Sequence, residues 1–225
     1  MENKKMSISI LAGVMKRELG VLSIGTLLAL ALARGACREG IDWLKQHDGE
    51  DIWGDCPMEY LSWFAAPYLA GANLNGADLN RANLDGATLY GADFVEANLE
   101  GANLNRANLD GATLYGANLE GANLNRANLD GATLKRANLY GANLEGANLN
   151  GANLNRANLA GATLYGADFV EATLYRANLE GANLKGAILY GADLDGASFI
   201  NCFYDSRTVF PDGFDPEAAG MILIG

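Results

Sequence analysis

From Leu74 to Phe199 an apolar residue falls at every fifth position without a break. The series runs Leu74, Leu79, Leu84, Leu89, Phe94 and on to Phe169, Leu174, Leu194 and Phe199, a run of 26 units. Alanine stands two places before almost every one, and Asn, Asp or Thr sits between them. The unit therefore reads A-[N/D/T]-L-x-x, with Gly or Arg mostly at the last place. A period of five matches neither a helical face, at about 3.6 residues, nor a strand, at about 2. Recurrent Gly and Asn also argue against a long helix. A fixed period that never slips is the mark of a solenoid, in which each unit buries its apolar face only by stacking on its neighbours.

This run of units resembles the pentapeptide-repeat family. The likeness covers about 135 of the 225 residues. It implies a β fold: a right-handed, quadrilateral β-helix with one pentapeptide per side and 20 residues per coil. Leucine and the alanine before it would then point inward, and the other three places would face outward or make corners. Elementary packing agrees. Leucine fills the interior and alanine leaves room where the sides converge, while glycine eases the backbone at the turns. Stacked coils would exchange backbone hydrogen bonds at sheet spacing, with Asn side chains in ladders. At about 4.8 Å per coil, about 6.5 coils give a rod about 31 Å long. The segment GANLNRANLDGATL at 101–114 recurs unchanged at 121–134, one such coil later.

The pattern stops at both ends, which divides the chain into an N-terminal helical module or cap at 1–68, the β-helix at 69–203, and a C-terminal capping tail at 204–225. Residues 20–47 and 57–66 read as helices, the second with Pro57 at its first position. Trp43, Trp53 and Trp63 are expected to pack this module together. The pattern from Ala36 to Trp63 resembles a short helical element of bacterial and phage proteins and implies no activity. Residues 19–33 are apolar and follow Lys4, Lys5, Lys16 and Arg17, as in an export signal. The run is short for a membrane span, Glu18 abuts it, and Arg34 stands where a lipoprotein signal wants an aliphatic residue before Cys37. A buried cap helix and a cytoplasmic protein are therefore the expectation. Export, anchoring and any membrane contact rest on 19–33 alone. The tail TVFPDGFDPEAAG resembles tails that follow the repeats of cyanobacterial pentapeptide proteins. Pro211 and Pro216 are expected to stop the strand ladder, and Phe203, Tyr204, Phe210 and Phe214 to fold over the last coil.

Composition narrows the chemistry. The net charge is −11, and residues 69–203 carry 14 acids against 8 bases. That balance disfavours direct binding to nucleic acid. The one histidine, His47, lies outside the repeat. Cys37, Cys56 and Cys202 are too few and too scattered for a disulfide framework. Buried free thiols are the expected state, with a Cys37–Cys56 pair as the alternative in an oxidising compartment. No Ser-His-Asp set, Cys/His ligand spacing, Gly-rich dinucleotide motif or phosphate loop is present. No catalytic, cofactor-binding or metal-binding residue is expected, nor any cofactor or enzymatic activity.

The outer faces carry what specificity there is, because residues 20 apart would stack. Arg136, Arg156 and Arg176 then form one column beside Lys135, about 4.8 Å apart. Like charges in a ladder repel unless answered. Arg81, Arg106 and Arg126 are followed four residues later by Asp85, Asp110 and Asp130, whereas Arg136, Arg156 and Arg176 are followed by Tyr140, Ala160 and Glu180. Tyr115, Lys135, Arg136, Tyr140, Arg156, Tyr175 and Arg176 thus make a candidate interaction surface for an acidic protein partner. The alternative is arginines that splay into water.

Three functions follow for comparison: a non-enzymatic rigid scaffold for protein–protein interaction, a DNA-mimicking modulator of a type II topoisomerase, and an exported or membrane-anchored structural protein. The second is implied by the resemblance, since some relatives imitate DNA. The rod's net −6 gives one charge per about 5 Å, against one per about 1.7 Å in duplex DNA. That places the scaffold first.

Overall fold

The computed structural model describes residues 69–225. The N-terminal module at 1–68, with its two helices, its tryptophans and the apolar run at 19–33, lies outside the described residues.

The pentapeptide dictates a β-helix through its backbone hydrogen bonds. The Asn, Asp or Thr at the centre of each side forms a parallel bridge with the residue 20 positions on, from Asn73 with Asp93 to Asn178 with Ser198. Around Leu124 the pattern is typical: its N–H donates to the Asn143 carbonyl at 2.6 Å, and the Asn143 N–H donates back to the Ala122 carbonyl at 2.9 Å. Four such bridges per coil leave four straight sides. Each corner is a turn closed by the alanine of the next unit, as in Ala127 N–H to Leu124 C=O at 3.0 Å. The residue before that alanine takes a left-handed φ, for example 62° at Gly121 and 55° at Arg126. A turn with its third residue left-handed is type II, and glycine enters it without a Cβ penalty.

Inside, every leucine of the frame from Leu69 to Leu189 is fully buried, as are Phe94 and Phe169. Each contributes roughly 2 kcal/mol by leaving water. The alanines are equally enclosed. The frame runs further than the unbroken series suggests: Leu69 occupies a leucine place, and Cys202 and Tyr204 take the alanine and leucine places after Phe199. The Cys202 thiol donates to the Leu179 carbonyl at 2.7 Å.

The central position is Asn so often because its amide satisfies three groups. The Oδ1 of Asn138 accepts the Tyr140 N–H at 3.2 Å, a donor that the coil-to-coil bonds leave over. The same oxygen accepts Asn158 Nδ2 at 3.1 Å, and Asn138 Nδ2 donates to Asn118 Oδ1 at 3.0 Å. With Asn98 and Asn118 below and Asn178 above, this side carries an unbroken amide ladder that starts on Asp78. Shorter ladders run through Asn83, Asn103 and Asn123 and through Asn108, Asn128 and Asn148.

At the C-terminal end the rhythm changes. Ile188 bridges Val209, a step of 21 instead of 20. The extra residue belongs to the loop Asp205–Thr208. Its Asp205 carboxylate and Thr208 hydroxyl both accept the Gly186 N–H, at 3.0 and 3.2 Å. Beyond it, Tyr204, Phe210, Phe214 and Phe199 make edge-on and stacked contacts at 5.1 to 5.6 Å and close the end of the core. Two expectations need correction. Phe203 is not part of this plug: it sits at a central, half-exposed place and pairs with Asn183 below. Nor do Pro211 and Pro216 end the ladder. The chain passes them and returns as β2 (Ile222–Leu223), which pairs in parallel with β1 (Phe203–Tyr204). No helix occurs among the described residues.

Candidate interaction surface on the rod

The candidate residues take their positions from the corners. Arg136, Arg156 and Arg176 stand at the left-handed place of three successive coils, with φ of 61°, 60° and 55°. Between 71 and 201 that place holds glycine twice as often as all other residues together, because a Cβ there costs about 1 kcal/mol or more. Three arginines in one column therefore run against the local preference of the backbone. All three are exposed, as are Lys135 and Tyr140, while Tyr115 and Tyr175 are half-buried just before the corner. Tyr140, 53% exposed, lies one corner further on and faces outward from the next side.

The structure brings part of the set together. Arg136 Nη1 donates to the Tyr115 hydroxyl one coil below at 3.1 Å. The Arg176 guanidinium lies over the ring of its neighbour Tyr175, 5.0 Å from the centroid. Such a contact is worth about 0.5–1 kcal/mol at an exposed site. Arg156, the middle member, has no ion pair, aromatic partner or side-chain hydrogen bond among the described residues. Tyrosine thus answers the outer two arginines: Arg136, which no carboxylate follows four residues on, and Arg176, which forms no ion pair with Glu180.

The expected Arg–Asp pairs at the other corners do not form. Among the described residues the one ion pair within 4 Å is Arg207 Nη2 with Asp205 Oδ2, at 2.6 Å. The reason is the corner geometry. A side chain leaving a left-handed residue runs along the rod axis and not around the corner. Arg81 Cγ comes within 3.3 Å of where a Cβ on Gly101 would stand, one coil up, and Arg126 Cγ within 3.5 Å of the same point on Gly146. Their aspartates sit past the turn, and no ion pair within 4 Å joins them.

Sequence reasoning missed a second polar cluster at the C-terminal corner. Arg207 is bonded to Asp205 through both Nε and Nη2, donates to the Tyr165 hydroxyl at 3.2 Å and covers that ring at 5.5 Å. The Arg207 side-chain hydrogen bonds hold the Asp205 carboxyl down at about 2, and the backbone N–H donors of Arg207 and Gly186 add to the effect. The signal was Arg207 itself: counted in fives it falls at an inward alanine place, and the one-residue insertion shifts it off that place. Among the described residues no group of His, Cys, Asp or Glu is arranged to hold a metal ion.

Acids border the basic column. Glu96 stands two coils below Arg136 at the same corner, and Asp193 and Asp195 lie one coil above Thr173 and Tyr175. Glu120 and Glu180 flank it on the next side, with Glu120 accepting Asn138 Nδ2 at 3.2 Å. The basic patch is thus three coils long and closed off at both ends.

Curated protein sequences give no match. Among solved structures the chain is similar to HetL, a pentapeptide repeat protein involved in heterocyst differentiation regulation from the cyanobacterium Nostoc sp. strain PCC 7120. The identity is 41%, over 64% of this chain and 70% of that one, with a TM-score of 0.36. It is similar also to the pentapeptide repeat protein Rfr23 from the cyanobacterium Cyanothece 51142, at 33% identity over 63% and 89% of the two chains and a TM-score of 0.31. QnrB1, a plasmid-mediated fluoroquinolone resistance protein, matches at 19% identity over 68% and 92%, with a TM-score of 0.37. The family model for pentapeptide repeats matches in eight copies at residues 68–101, 102–139, 137–174 and 167–203. With that match running through more than half of its length, the chain belongs to the pentapeptide-repeat family, and its coil is a right-handed β-helix.

Proposed function

We propose that this protein is a non-enzymatic scaffold that binds another protein through the outer corner formed by Lys135, Arg136, Arg156 and Arg176. The observation that carries this reading is the run of three arginines at left-handed corner positions. Glycine would serve the fold better there, so the side chains are kept for what they present to solvent. The rod supports such a role physically. Its interior is filled by leucine and alanine, and its outer residues are held at coil spacing by bridges and amide ladders. Recognition then proceeds with little ordering of the scaffold itself. The test is capture from native cell extract by the full chain and by a folded triple variant, Arg136→Glu with Arg156→Glu and Arg176→Glu. Wild type should retain partners that the variant loses. A variant that retains every one of them removes the surface from consideration.

A second reading, mimicry of DNA toward a type II topoisomerase, draws on the rod's excess of six acids over bases. The basic column interrupts that surface for three coils, which ranks this reading below the scaffold. A supercoiling assay with purified full-length protein distinguishes them: the scaffold reading expects no effect on the enzyme.

A further inference from the structure

The basic column has a length, a spacing and charged borders, and together these specify what fits it. Arg136, Arg156 and Arg176 recur at the coil repeat of about 4.8 Å. An α-helix laid along the rod presents side chains of one face at each turn, about every 5.4 Å. Over three positions the mismatch accumulates to only about 1 Å, well within the reach of an arginine side chain. An extended strand presents one face every 6.8 Å or so, and its third residue would already be about 4 Å out of step. The borders exclude a long polyanion. Duplex DNA carries a phosphate every 3.4 Å or so along each strand, and its continuation past the column would meet Glu96 at one end and Asp193 and Asp195 at the other. The two guanidinium–tyrosine contacts pre-orient Arg136 and Arg176, and they leave Arg156 free at the centre.

We propose that this column is a docking strip for an acidic α-helix of a protein partner, lying parallel to the rod. The helix carries carboxylates at three successive turns of one face and basic residues beyond them at each end. The inference rests on the interaction-scaffold reading above and adds the shape and charge order of the partner.

The experiment uses the full-length chain and a fluorescent alanine-based peptide of about 20 residues, long enough to be helical in water. One peptide places three glutamates on one face at successive turns, with a lysine beyond them at each end. A second has the same composition with the glutamates distributed around the helix. The first should bind about tenfold more tightly, since exposed ion pairs contribute small, summing increments. Arg156→Gly should remove most of that preference while melting no earlier than wild type. If both peptides bind equally and a triple variant, Arg136→Gly with Arg156→Gly and Arg176→Gly, loses both, the helix is overturned and the surface stands. If neither peptide binds, the helical strip is overturned while the scaffold reading stands or falls by the capture test. If the triple glycine variant binds the first peptide like wild type, the column is not the docking surface and both readings lose it. A labelled oligothymidylate that binds more tightly than the first peptide overturns the protein-helix assignment in favour of nucleic acid.

Discussion

Arg136 and Tyr115 are 21 residues apart in sequence, and the guanidinium of one donates to the hydroxyl of the other at 3.1 Å. The coil places them as neighbours, and no local feature of either segment does so. Because the pair is exposed, its worth to the fold is small. Tyr115→Phe should shift stability by less than about 1 kcal/mol in denaturant melts. The Arg136 side-chain NH resonances should nevertheless move, since their acceptor is gone.

The corners predict two substitutions of opposite sign. Arg156→Gly relieves a left-handed residue at φ 60° and should stabilise the rod by about 0.5–1 kcal/mol. Gly121→Ala does the reverse. A Cβ on Gly121 would meet nothing within 4 Å, so its cost of about 1–2 kcal/mol comes from φ 62° alone. Thermal melts of the two variants should fall on either side of wild type.

Asn138 sits in the middle of the longest amide ladder, and its side chain makes four hydrogen bonds. Asn138→Ala strands the Tyr140 N–H and interrupts the ladder, and should cost about 1–3 kcal/mol. Hydrogen exchange at Tyr140 should accelerate in this variant. Exchange at Leu104, on another side of the rod, should change far less.

Leu124 has no exposed surface. Leu124→Ala should cost about 3–5 kcal/mol through lost burial and a residual cavity. Leu124→Lys should abolish cooperative melting, since it places an unpaired charge between coils that are stable only through their neighbours.

The Asp205 carboxyl, held near pKa about 2, gives a pH signature. Its folded value lies below the unfolded one of about 3.9, so its contribution is complete above that value and is lost as pH falls through about 2. Carbon-detected titration should find the Asp205 midpoint near the lower figure. In Arg207→Gln, which removes the main cause, the midpoint should rise toward an ordinary aspartate.

How far these features were legible in the sequence differs from residue to residue. The β-helix was, because a period of five fits neither helix nor flat strand and every buried position from Leu69 to Tyr204 obeys it. Leu69, Cys202 and Tyr204 also keep the step of five, the last two with a changed residue type, and they extend the frame beyond the unbroken series from Leu74 to Phe199. The amide ladder was legible in outline from Asn recurring at 98, 118, 138, 158 and 178. The arginine column was placed correctly, but its partners were not. Spacing in sequence suggested Arg106 with Asp110, whereas the left-handed corner turns such side chains along the axis. Tyr115 lies about one coil from Arg136 and Tyr175 is next to Arg176, and both contacts depend on rotamers that no spacing encodes. The 21-residue last coil was hidden because an insertion of one residue between Tyr204 and Val209 leaves no mark in composition.

That odd coil matters to the chain as a whole. Two copies of GANLNRANLDGATL one coil apart are interchangeable, so a growing solenoid has little to tell it which coil it has reached. Slipping by 20 residues would bury leucine on leucine and pair Asn with Asn as before. The Asp205–Thr208 loop and the aromatic plug cannot be slipped in this way, because they fit one coil only. They act as the index mark on an otherwise uniform scale. A consequence is that the rod's length is free to change in steps of one whole coil: the loss or gain of 20 residues within 101–134 moves the basic column relative to the start of the rod and leaves its distance from the C-terminal plug untouched.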